Sequence, residues 1–212
     1  MNIKWLGHSC FLLTSENGTR ILTDPFDDTV GYPLPDVEAD IVTVSHDHFD
    51  HNHTAVVKND FVLVNKAGEH LFKDIKIKGV STFHDNANGA ERGINIIFNI
   101  SVDGINVCHC GDIGHTLTQQ HAHEIGRVDV LLLPVGGVFT VDADGAYEIM
   151  RVLKPKVTIP MHFKTPEVTL PIDPVDNFIE KIGMGEHVDS NTIEVSQDNL
   201  GENMRVLVLN YQ

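Results

Sequence analysis

A chain of 212 residues, 42% of them hydrophobic, is long enough to bury one core, and no apolar run approaches the ~20 residues a membrane helix needs. Thirty acidic against fifteen basic side chains give a formal net charge of −15, a field that repels polyanions and disfavours nucleic acid as a partner. Cys10, Cys108 and Cys110 form no CxxC pair, so neither a disulfide framework nor a thiolate zinc cage is signalled. The opening MNIKWLGHSCFLLTS has neither a basic region nor a small-residue cleavage site, which predicts a soluble cytoplasmic protein.

Residues 2–7 (NIKWLG), 10–15 (CFLLTS) and 20–25 (RILTDP) read as short strands, punctuated by the Asn17-Gly18 turn signal and by Asp24-Pro25. IVTVS, 41–45, reads as a buried strand that delivers the chain to His46, and a short helix is expected over 51–57. FVLVN, IKIKGVSTF, INIIFNISV and INVCHC follow as strands, the last two joined by a hairpin at Asp103-Gly104. Strand and helix then alternate: a helix over 118–124 stopped by Gly126, the strand VDVLLLPV, a helix over 142–153 ended near Pro155, and the strand VTIPMHF. Asp173 is expected to cap a further helix with Pro174 at its first position and Gly183 closing it, before the strands TIEVS and RVLVLNY. No short repeat and no long linker interrupts this order, so one α/β domain over residues 1–212 is expected, with sheets packed together and helices outside.

The stretch TVSHDHFDHNH, residues 43–53, holds four histidines and two aspartates in eleven positions. His46 and His48 lie two apart at a strand end, so their side chains leave one face and can converge on one ion. Asp50 and His51 come where the chain turns and can aim at a second, adjacent position. His84 in STFHD, Asp112 in CHCGDIGH and His162 in IPMHF stand at later strand ends. Singly, each is an ordinary strand-end polar residue; together with HxHxDH they make a two-metal reading coherent.

The segments GHSCFLL, ILTDP, SHDHFDH, FHD with GAERGIN, HCGDIGH, LLLPVGG and IPMHFKT, in this order, resemble the metallo-β-lactamase-fold superfamily of metal-dependent hydrolases over nearly the whole chain. The likeness is strongest to small stand-alone members of its lactonase- and phosphodiesterase-like branch. It implies an αββα sandwich of two mixed sheets packed face to face, with the metals at one edge between them. It further implies that His46, His48 and His84 hold one ion, that Asp50, His51 and His162 hold the other, and that Asp112 bridges them. Members with oxygen-reactive di-iron chemistry carry a carboxylate at the position of His48; an all-imidazole first site suits zinc, though manganese, iron or nickel could use the same ligands.

The activity so implied is hydrolysis of a small ester, lactone or phosphodiester by a metal-bound hydroxide, with Asp50 orienting the water. His115 is the first candidate proton donor, and His8, Lys164 and Arg92 are candidate substrate contacts. Asp24 fits either a turn that ends its strand or a carboxylate supporting a ligand imidazole. Asp47 and His53 read as bystanders, and His109 as a buried, hydrogen-bonded residue. The alternatives are a metal-binding regulatory protein without turnover, or a nuclease, the latter opposed by the acidity and the lack of an RNA-gripping arm.

Overall fold

Strand alternation sorts the N-terminal side chains onto two faces. In the computed structural model, which describes residues 1–211, β1 (Asn2–Gly7), β2 (Cys10–Thr14), β3 (Arg20–Thr23) and β4 (Ile41–Thr43) carry Ile3, Trp5, Phe11, Leu13, Ile21 and Ile41 toward the main core. Cys10, Leu22 and Val42 point the opposite way, into a smaller cluster with Val30, Tyr32, Val168 and Ile172. With β5 (Val62–Val64) and the late strand β13 (Thr192–Glu194), these strands form a six-stranded sheet in the order β13-β1-β2-β3-β4-β5. The pairings through β3 are antiparallel, and β3-β4 and β4-β5 are parallel.

The second sheet has eight strands. Its antiparallel half is β6 (Gly68–Phe72), β7 (Ile75–Phe83), β8 (Ile94–Val102) and β9 (Ile105–His109). Its parallel half is β10 (Val130–Pro134), β11 (Val157–Met161), β14 (Arg205–Leu209) and β12 (Glu186–Val188), and the order runs β12-β14-β11-β10-β9-β8-β7-β6. Every residue of β10 and β11 is buried, as expected for parallel strands covered on both faces. Each large apolar side chain removed from water there contributes about 1.5–3 kcal/mol.

Three helices, α1 (Gln119–Ile125), α2 (Ala143–Leu153) and α3 (Val175–Ile182), cover the second sheet and pack against its strands or one another. The outer face of the first sheet is covered instead by two 3-10 turns, Asp28–Val30 and Thr54–Val56, and by the chain around Val168 and Ile172. None of these helices is long and apolar enough to cross a membrane.

Caps explain the helix ends. Thr118 accepts the His121 N–H while His121 Nδ1 accepts that of Thr118, and Asp142 accepts the Gly145 N–H. Two expectations need correcting. Pro174, not Asp173, occupies the cap position of α3. Residues 51–57 form no α-helix: the N–H groups of His51 and Asn52 both reach the His48 carbonyl and that of His53 reaches Pro25, leaving one 3-10 turn, Thr54–Val56. The edge strands β6 and β12 escape a pattern reading because they are short and largely exposed.

Candidate metal centre

The loops that leave β1, β3, β4, β7, β9 and β11 meet at one end of the sandwich, and each brings a histidine or an aspartate. His8, Asp24 and His162 hold left-handed backbone angles, φ 50°, 39° and 50°, a conformation that costs a non-glycine residue free energy and persists only where its surroundings enforce it. The His8 carbonyl is one such restraint: it accepts the indole N–H of Trp5 at 2.9 Å and the backbone N–H of His162 at 3.3 Å. Close backbone approach fixes the rest. A Cβ on Gly136 would lie 2.2 Å from the His162 carbonyl oxygen, and one on Gly111 would lie 2.3 Å from Asn95 Oδ1.

Around this frame the side chains fall into two sets. His46, His48 and His84 form one, their ring centroids 4.5 to 5.0 Å apart. Donor atoms of His8, Asp50, His51 and His162 form the other, all within 4.8 Å of one another. Asp112 lies between: its Oδ2 is 3.2 Å from Nε2 of both His51 and His162 and 3.5 Å from Nε2 of His84. Nε2 of His46, His51 and His162 and Oδ1 of Asp112 are buried with no hydrogen-bond partner among the described residues. Such buried polar atoms are costly unless something meets them.

For His46 and His51 the opposite ring nitrogen is held, whereas Nδ1 of His162 is bare as well. His46 Nδ1 faces Ser45 Oγ at 2.9 Å, and His51 Nδ1 faces Asp24 Oδ2 at 2.8 Å. One nitrogen fixed by the protein and the other bare toward a shared centre is the pattern of metal-ligating imidazole, so this donor set fits divalent cations. Asp24 also accepts the backbone N–H and the hydroxyl of Ser45, which makes it a support for two imidazoles rather than a simple turn residue. Asp112 is oriented in turn by Asn95, whose Oδ1 accepts the Asp112 N–H at 2.9 Å while its amide donates to Thr82 and Cys110.

Burial lowers the pKa of His8 to about 4, with His162 adding repulsion, and that of His46 to about 3, with His51 adding repulsion. Burial would lower His51 too, but the charges of Asp112 and Asp50 and the hydrogen bond to Asp24 raise it well above the usual imidazole value. Burial opposes ionisation of Asp112 and Asp50, yet the facing imidazoles, His162 and His51 for the first and His51 for the second, hold both well below the carboxylate range.

For the metal-free protein the sign follows. Between pH 6.5 and about 4 the unfolded chain binds protons at His8 and His46 that the folded chain refuses. Stability therefore falls with pH, by up to about 1.4 kcal/mol per unit for each group. His51 adds no slope there because it is protonated in both states; its contribution fades only as pH rises from 6.5 toward its raised value. Denaturant unfolding of the metal-free protein at pH 6.5 and 5 reads the loss, and equal stabilities would contradict neutral buried imidazoles.

A cleft of about 290 Å³ opens onto the centre, lined by His48, Phe49, Asp50, His84, Arg92, Asp112, Phe139 and Leu170. Arg92 sits at its rim, the guanidinium carbon 5.7 Å from the centroid of the Phe139 ring. Asp85 presents it: its carboxylate accepts the backbone N–H groups of Ala87, Gly89, Glu91 and Arg92, which shapes the 85–93 loop. A larger groove, about 610 Å³, lies on the second sheet around Lys76, Lys78 and Arg127 and contains none of these donors. Its cations are partly spent, Lys78 facing Glu69 across the ladder and Arg127 bound to Asp129.

Three expected substrate or proton-transfer residues do not reach the cleft. His115 commits both ring nitrogens to backbone, accepting the Phe83 N–H at 3.2 Å through Nε2 and donating to the Thr116 carbonyl at 2.9 Å through Nδ1. Lys164 donates to the carbonyls of Val168 and Leu170 and so holds the loop that carries Leu170. His8 is fully buried, its Nε2 3.2 Å from Asp50 Oδ2. His109 is bonded to the Ser9 carbonyl and the Gly111 N–H, and Asp47 is exposed and bonded to Asn52.

Comparison with known proteins gives a consistent result. The family profile for the β-lactamase superfamily domain matches residues 2–162. A UPF0173 metal-dependent hydrolase of Archaeoglobus fulgidus is 32% identical over 198 residues, covering 78% of this chain and 84% of its own. One from Methanoculleus marisnigri is 31% identical over 95% of this chain and 100% of its own. Among solved structures, a candidate zinc-dependent hydrolase of the metallo-β-lactamase superfamily from Thermotoga maritima superposes with a TM-score of 0.84 at 41% identity, covering 98% of this chain and 97% of its own.

Proposed function

Since the chain belongs to the metallo-β-lactamase superfamily and is a metal-dependent hydrolase, we propose that it uses two divalent ions, zinc first, to hydrolyse a small ester, lactone or phosphodiester. The observation that carries this reading is the set of bare, buried donor atoms that face Asp112 from both sides. His46, His48 and His84 would hold one ion, Asp50, His51 and His162 the other, with Asp112 shared. Ions held there would lower the pKa of a water toward neutrality and would stabilise negative charge developing on the attacked group. Three imidazoles at the first position favour zinc, as does the zinc-dependent description of the Thermotoga maritima relative.

The protein's own groups do the rest. Asp24 and Ser45 fix the rings of His51 and His46, so the donors need no rearrangement. Asp50 lines the cleft, and its ionised carboxylate can accept a hydrogen bond from the attacking water and so orient it. Phe49, Phe139 and Leu170 give the cleft apolar walls, and Arg92 gives it a cation for a carboxylate or phosphate on the substrate. The modest volume suits a small molecule.

Metal analysis of the purified protein, followed by a panel of phosphodiesters, lactones and esters, tests the proposal. Two ions per chain and metal-dependent turnover are expected; the absence of turnover across the panel from the two-ion protein sinks it. Arg92→Gln should raise KM about tenfold for a substrate bearing a carboxylate or phosphate, leaving kcat little changed. A neutral analogue should be indifferent to the substitution, and an equal effect on both would remove Arg92 from anion recognition.

A further inference from the structure

We infer that His8 is an additional protein ligand of the second metal position, an assignment that rests on the two-ion reading above. The ring lies where a donor is needed and where a substrate contact is not. It is fully buried, its Nε2 is 3.2 Å from Asp50 Oδ2, and it closes a four-residue set with Asp50, His51 and His162 whose donor atoms lie within 4.8 Å of one another. Donors sharing one ion through bonds of about 2.0–2.2 Å stand about 3–4 Å apart, so 3.2 Å is an ordinary separation for two ligands and the outer limit of a hydrogen bond. Nδ1 of His8 has no hydrogen-bond partner among the described residues, so whatever meets Nε2 decides the tautomer.

The backbone enforces this position. His8 follows Gly7, φ 106°, whose hydrogen side lies against the Tyr32 ring where a Cβ would approach to 2.7 Å. His8 itself takes φ 50°, with its carbonyl held by Trp5 and His162. Its imidazole thereby lies 4.2 Å from that of His162, centroid to centroid, with the two rings tilted by 42°, and it does not line the cleft. The two positions are then unequal. The second draws on His8, Asp50, His51, His162 and the shared Asp112, whereas the first has three imidazoles and the same shared carboxylate, so the second fills first and more tightly.

His8→Asn and His8→Gly test this, since both residues tolerate a left-handed backbone. Zinc affinity is measured by chelator competition on the full chain, Co(II) is titrated in while its visible absorption is followed, and circular dichroism checks the fold. In both variants the first, tighter equivalent should weaken by about 100-fold or more, with its Co(II) spectrum altered and the other equivalent unchanged. If His8→Asn, whose amide still donates to Asp50, keeps wild-type affinity and spectrum, His8 is a positioning residue and the assignment is overturned. The same holds if neither variant differs from wild type. A wild type that takes up fewer than two ions defeats the two-ion reading itself, which separates that failure from the failure of His8 as a ligand.

Discussion

Asp112→Ala should lower kcat/KM by at least about 10³-fold, close to 4 kcal/mol of transition-state stabilisation, and should purify with less metal than the wild type. The carboxylate is 1% exposed, and it is the group whose oxygen lies within 3.5 Å of imidazoles from both sets. Facing histidines keep it ionised despite its burial. Without it, two cations would face each other with no shared anion and the donors on either side would lose their common reference. Asp112→Asn is the sharper variant because it retains the volume and removes the charge. Metal content by elemental analysis, together with steady-state kinetics, checks both; full metal and full activity in either variant would end the bridging assignment.

The second large effect is expected at Asp24, which touches no substrate. Asp24→Ala should destabilise the metal-free protein by about 3 kcal/mol and weaken zinc binding by about 10- to 100-fold. Its carboxylate is fully buried and accepts from the Ser45 N–H, the Ser45 hydroxyl and the His51 ring, with His109 Nδ1 at 3.9 Å. Alanine leaves all of these unmatched at once, in a loop whose φ of 39° already disfavours it. Denaturant unfolding and chelator competition read the two losses independently. A change below about 0.5 kcal/mol would mean that water or a relaxed loop takes over its bonds.

The His/Asp donor cluster was legible in the sequence because HxHxDH and three strand-end residues announce themselves by type and spacing. The strands were legible because alternating burial leaves a period of two, as in Phe11, Leu13 and Ile21 against Cys10, Leu12 and Leu22. What supports these donors was not. Ser45 and Asn95 lie inside the recognised segments, yet their roles depend on bonds to Asp24 and Asp112 that join residues 17 to 21 positions apart. His115 and Lys164 read as free polar groups beside the right motifs, but local carbonyls and N–H groups had claimed them. The absent helix over 51–57 has the same cause: its donors were spent on turning the chain so that His48, Asp50 and His51 face inward.

Trp5 is the only tryptophan in the chain, is 2% exposed, and donates its indole N–H to the carbonyl of His8. Tyr32 and Tyr211 lie edge-on to it at 6.3 and 6.2 Å, close enough to pass on excitation energy. The molecule thus carries a single tryptophan, whose one indole hydrogen bond ends on the residue beside the proposed second metal position. Ordering or loosening of that residue would alter the field along the indole, so metal loading is expected to shift the emission of the unmodified protein, and emission unchanged on zinc addition would show that His8 does not move.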